Sequence, residues 1–152
     1  MTRLKKAEEA LRRSEGMLAE AERLAGIGSV SRDLRTDEVY RSGGIHHIFG
    51  ASREEMPPVP ENFLTYVHEL DRERVAVRLR ETLAKGAALR EDYRIIRPDG
   101  ALRWIHVEGD TAKDAQGRPV QFFAWLQDVT ERRQLEQKVM DISDRERRSV
   151  GH

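Results

Sequence analysis

Between Val120 and Gln127 the side chains alternate strictly. Val120, Phe122, Ala124 and Leu126 fall on one face, and Gln121, Phe123, Trp125 and Gln127 on the other, which predicts a β-strand. From Glu131 the spacing changes. Leu135, Val139 and Ile142 now recur near heptad intervals among charged residues, which predicts an exposed amphipathic helix. Neither Gly nor Pro interrupts FFAWLQDVTERRQLEQKVMDI, Phe122 to Ile142, whereas RPDG, DAQGRP and KG punctuate other boundaries. A strand that runs into a helix without a flexible joint is suited to transmit movement.

Both faces of that strand carry aromatic residues. An antiparallel sheet with one solvated face needs only one apolar set. Something is therefore expected to cover the second face: the N-terminal helix, a second subunit, or both.

The rest of the chain divides in three. Residues 1–25 predict a helix, with Leu4, Leu11, Leu18 and Ala25 seven residues apart and Ala7, Ser14 and Ala21 between them, ended by Gly26 and Gly28. Residues 26–130 predict a small α+β domain. IGSVSRDLRT and EVYRS read as strands, GGIHHIFG as a helical turn or two, SREE as a capping box, and MPPVPENFLTYV as a Pro-rich loop with a short helix. Asp71 to Lys85 is the best helix, with Asp71 as N-cap, Val75, Leu79 and Leu83 on one face, and Gly86 beyond its end. Leu89–Arg97, Ala101–Lys113 and Arg118–Val129 then form successive antiparallel strands. Residues 131–152 form a second weak coiled-coil helix. The expected architecture is a five-stranded antiparallel sheet with short helices on one face, flanked by two amphipathic helices.

Composition narrows the function. With 27 basic and 27 acidic residues the net charge is zero, so no basic excess draws the chain to nucleic acid. The absence of cysteine excludes disulfides, Cys-ligated zinc, thiol catalysis and a cysteinyl-flavin adduct. No apolar run approaches the ~18 residues of a membrane span, and MTRLKKAEEALRRSE lacks the apolar core of a signal peptide. A cytoplasmic location is expected.

The stretch Tyr93 to Arg133 resembles the C-terminal half of PAS domains: a DG hairpin, an RWI strand, a D-x-x-G-x-P turn and a closing D-[IV]-T at Asp128, Val129 and Thr130. YVHELDRERV is similar to the family's VHPDDRERV, with Glu69 and Leu70 in place of Pro-Asp, and LAGIGSVSRDLRTDEVYRS resembles its opening strands. The resemblance covers Leu24 to Arg133 and implies a PAS fold and a sensory role. DISDRERRSVGH, Asp141 to His152, is similar to the helix entering the phosphoacceptor box of one class of bacterial histidine kinases, with His152 just short of the acceptor. It implies a downstream kinase domain and, indirectly, a response regulator; the uncovered sheet face and the weak helical stripes point to a homodimer. No catalytic domain lies in this stretch, so the chain itself is expected not to be an enzyme.

The family's pocket floor maps to Phe122, Ala124 and Leu126, with Ile45, Ile48, Phe49, Phe63 and Val67 as candidate walls. A filled core would carry the same apolar residues. Asp128 and Thr130 are candidate junction residues, either as an ordinary helix cap or as the clamp that turns a strand shift into helix motion. Leu11, Leu18, Phe123, Trp125, Leu135, Val139 and Ile142, with Trp104 as a further candidate, are assigned to a dimer interface. Haem is not expected, since Asp71 to Lys85 holds no histidine, and flavin is not expected without the cysteine. No histidine pair has metal-site spacing, and a small-molecule ligand remains open. Three alternatives stand beside the kinase reading: a ligand-free spacer, the input of another enzyme such as a cyclase, and an enzyme using Glu108 and Asp110 as acid and base.

Overall fold

The computed structural model describes residues 2–150; His152, adjoining the expected phosphoacceptor box, lies outside them. Helix α1 (Arg3–Ala25) starts where Thr2 Oγ1 accepts the Lys5 N–H at 3.3 Å. It stops at Gly26, whose φ of 66° suits the left-handed C-cap. Strands β1 (Ile27–Asp33) and β2 (Val39–Arg41) lead into α2 (Gly43–Phe49). A 3₁₀ turn, Asn62–Tyr66, precedes α3 (Glu69–Lys85). Then β3 (Leu89–Ile96), β4 (Leu102–Lys113) and β5 (Pro119–Asp128) run directly into α4 (Thr130–Val150). The five strands form one antiparallel sheet in the order β2-β1-β5-β4-β3. The first and last thirds of the domain thus meet at the β1–β5 ladder.

Helices α2 and α3 cover one face of the sheet. Ile45, Ile48 and Phe49 from α2 and Val75 and Leu79 from α3 pack with Tyr93, Ile95, Ile105, Val107, Phe122, Ala124 and Leu126. The close approach of α2 depends on Gly28, where a Cβ would lie 2.5 Å from the Ile45 nitrogen.

One expectation is corrected, one holds in part, and one alternative is removed. The N-cap of α3 is His68, whose Nδ1 accepts the Leu70 N–H at 3.1 Å, and the helix starts at Glu69. Asp71 instead turns away from its own helix to bind Arg94. The Ser52–Glu55 box does form its two reciprocal bonds, 3.1 and 3.2 Å, but they close a single turn rather than a helix. Finally, α1 does not cover the outer face: no residue of α1 is buried, while Phe123 is 48% and Trp125 38% exposed.

Candidate functional site

An apolar cavity of about 90 Å³ lies between the covered face of the sheet and the short helices. Six of the eight predicted pocket residues line it: Ile45 and Phe49 from α2, Phe63 from the 3₁₀ turn, and Phe122, Ala124 and Leu126 from β5. Ile48 and Val67 are buried, at 2% and 1% exposure, but pack into the core beside it. Val30, Met56, Val75, Leu79, Tyr93 and Val107 also belong to the apolar wall.

Sequence reasoning missed the polar frame of the cavity. Arg41 donates to the carbonyls of Met56, Pro57 and Val59 at 3.0–3.2 Å and to Asn62 Oδ1 at 2.5 Å. It thereby binds the Pro-rich loop to β2. Arg32 reaches Asp37 at 3.0 Å and Glu61 at 3.7 Å across the rim. Glu91 is held by Arg74 and Arg78 of α3. Burial pushes the Tyr93 phenol far above the usual tyrosine range, so it stays neutral. Apart from Arg32 and Asp37, these partners lie far apart along the chain and carry no local sequence signal.

The cavity is small and its lining almost wholly apolar. An apolar cavity of about 150 Å³ holds one benzene ring, against about 90 Å³ here. Ala124→Leu adds three carbons over the floor. We expect it to abolish xenon-induced chemical-shift changes at Phe122 and Leu126 while changing stability by under about 1.5 kcal/mol. Equal shifts in both proteins would mean that the cavity is not where the structure puts it.

The second site is the strand-to-helix junction. Val129 donates to the Trp104 carbonyl at 2.8 Å, and the Trp104 N–H donates to Thr130 Oγ1 at 2.8 Å. The β4–β5 ladder therefore continues past the end of β5, its last rung supplied by a side chain. Asp128 Oδ1 accepts the Thr130 N–H at 3.0 Å and its hydroxyl at 2.6 Å, and Oδ2 accepts Arg103 Nε at 2.7 Å. Burial pushes the Asp128 carboxyl up, but the bonds from Arg103 and Thr130 outweigh it and hold the group below the usual carboxylate range. The Asp128 N–H donates to the Gly26 carbonyl at 2.9 Å, so the end of α1 and the start of α4 meet at one residue. Val129 and Thr130 are each 4% exposed. Arg133 N–H then bonds the Val129 carbonyl at 3.0 Å and begins the helical ladder.

Among the described residues, the predicted interface residues remain exposed. Leu11, Leu18, Leu135, Val139 and Ile142 are all more than half exposed on α1 and α4. Trp104 does not join Phe123 and Trp125. The Arg133 guanidinium lies 3.8 Å from its ring centroid and covers it. His106 contacts Asp92 at 2.5 Å and Glu108 at 3.2 Å through opposite ring nitrogens, an arrangement unsuited to one metal ion. Among the described residues no cluster of His, Asp or Glu could hold a metal, and no helix is long and apolar enough to cross a membrane. Glu108 faces His106 and Arg90, and Asp110 is exposed, with no nucleophile between them.

A family model described as the PAS fold matches residues 38–124. Over 124 residues, 82% of its length, the chain is 31% identical to a blue-light-activated histidine kinase of Brucella anthropi, and spans 24% of that protein. A sensory box histidine kinase/response regulator of Burkholderia thailandensis has a similar structure, with 27% identity and a TM-score of 0.63 over 82% of this chain and 92% of that one. The N-terminal domain of a diguanylate cyclase with PAS/PAC sensor from Marinobacter aquaeolei gives 19% identity and a TM-score of 0.64, covering 70% and 98% of the two chains.

Proposed function

Since the chain belongs to the PAS fold family, we propose that it is the sensory and relay module of a histidine kinase. In this reading it works as a homodimer that passes changes in its sheet through Asp128 and Thr130 to α4. The chain spans about a quarter of the curated relative it matches, so the kinase itself lies in the remainder of such a protein. The similarity to kinase sensors, at 31% and 27% identity, supports this output over a cyclase, where 19% identity is a likeness of fold alone.

One observation carries the relay: the β4–β5 ladder passes into α4 without a break, through Val129 and the Thr130 hydroxyl. A shift of β4 against β5 then moves the start of α4 with it. Support for the dimer comes from unmatched apolar surface. The exposed stripes of α1 and α4 and the Phe123–Trp125 patch lie outside the single-chain core. Their residues match what a subunit interface uses, and isolated helices with such narrow stripes are marginal in water. The 90 Å³ cavity is well below the ~300–1,000 Å³ of drug-sized sites, so a physiological ligand would be small and apolar.

The test is a Gly-Gly insertion after Thr130 in the parent kinase. The insertion should make autophosphorylation insensitive to Ala124→Leu, which alters the uninterrupted protein, and sedimentation should give twice the mass of one chain. A parent that still responds to the cavity substitution through the insertion, or a monomer at micromolar concentration, contradicts the proposal.

A further inference from the structure

Asp128 and Thr130 fix where α4 begins, but a helix held at one point still swings. Its direction needs a second point. Arg133 lies one turn along, ~4.5 Å from Thr130 at ~1.5 Å per residue. Unlike its neighbour Arg132, which pairs only with the exposed Glu136, Arg133 reaches back to the sheet. Its guanidinium lies 3.8 Å from the Trp104 ring centroid, and Nη2 donates to Asp92 Oδ2 at 3.1 Å. Asp92 Oδ1 meets His106 Nδ1 at 2.5 Å, and the His106 ring lies tilted against Trp125, with centroids 5.5 Å apart. Arg133 thus links α4 to β3, β4 and, through His106, to the exposed aromatic patch of β5.

We propose that Arg133 is a positioning residue that fixes the direction of α4 relative to the outer face of the sheet. The leverage is large. With anchors ~4.5 Å apart on a helix ~30 Å long, a 1 Å slip at Arg133 becomes roughly 7 Å at the far end. The geometry also selects arginine. A planar guanidinium stacks on the indole and donates to Asp92 in one pose, whereas a lysine ammonium supplies the charge without the plane. Because the patch carrying Trp125 adjoins this latch, any partner seated on that patch would bias where α4 points. The inference rests on reading α4 as the output lever.

The natural chain has no cysteine, so two introduced thiols label it cleanly. Arg80→Cys on α3 and Lys138→Cys on α4 place nitroxides at exposed positions, and dilution with unlabelled protein isolates distances within one chain. Pulsed electron resonance should give one narrow distance distribution, at least twofold broader with Arg133→Ala. Arg133→Lys should recover less than half of the lost narrowness. With Trp125→Phe as background, Arg133→Ala should also red-shift Trp104 emission while far-ultraviolet dichroism keeps its helix signal. An unchanged distance width in Arg133→Ala overturns the latch, as does full recovery by lysine. If the distribution broadens but the parent kinase keeps its wild-type output, the latch stands and the reading of α4 as the output lever fails.

Discussion

Asp71→Ala should lower the unfolding free energy by about 3 kcal/mol and the melting midpoint by on the order of 10 °C. The reason is the number of bonds that converge on one buried carboxylate. Asp71 accepts the Arg94 backbone N–H at 2.9 Å, Nε at 2.9 Å and Nη2 at 2.7 Å. These bonds tie the first turn of α3 to β3, the edge strand, beside the His68 N–H bond to the Arg94 carbonyl. Alanine removes all three bonds and strands a guanidinium that is only a quarter exposed. Water reaches part of that group, so the loss stays near the lower end for a broken buried pair.

The same contact makes acid sensitivity predictable. Hydrogen bonding from Arg94, against the cost of burial, pulls the Asp71 carboxyl down to about 2. The folded value lies below the ordinary one. The stabilisation is therefore complete above the usual carboxylate range and is lost as pH falls through the folded value. Its size is on the order of 2 kcal/mol. Melts of the wild type and Asp71→Ala should differ most above about pH 5 and converge only as the pH falls below about 2. A gap that stays constant across that range would assign the loss to packing rather than charge.

Asp128→Ala is the second large effect, and its main readout is mechanical. The substitution removes both bonds to Thr130 and the counter-charge of Arg103, at a cost of about 2 kcal/mol. The apolar core it leaves intact keeps the domain folded. The first turn of α4, with its N–H group uncapped, should then exchange its amide hydrogens at least tenfold faster at Thr130 to Arg133. Unaltered exchange there, with normal Arg103 and Trp104 chemical shifts, would show that the carboxylate is dispensable to the joint.

The β-strands were legible because side-chain alternation and turn chemistry are local properties. Val120 to Gln127 declared its two faces, and Gly26 and Gly86 marked helix ends by the left-handed φ values of 66° and 73° they adopt. The D-V-T junction was legible as well, since a helix cap lies close to the groups it satisfies. Long-range polar partners were not. Asp71 suits an N-cap as well as His68 does, and only Arg94, far along the chain, decides between them. Arg41 and Arg133 look like ordinary surface arginines until the Pro-rich loop and Trp104 are brought to them. What covers the outer face was left open between α1 and a second subunit for a related reason. The α1 stripe specifies an apolar partner without specifying which one, and among the described residues it finds none.

A continuous joint between β5 and α4 underlies the relay, and backbone ¹⁵N relaxation across Gln127 to Glu136 in this chain measures it directly. Order parameters near ~0.85 at Asp128, Val129 and Thr130, level with β5, are the expected result. Values below ~0.6 at those three residues, between an ordered strand and an ordered helix, would reveal a hinge and contradict the account.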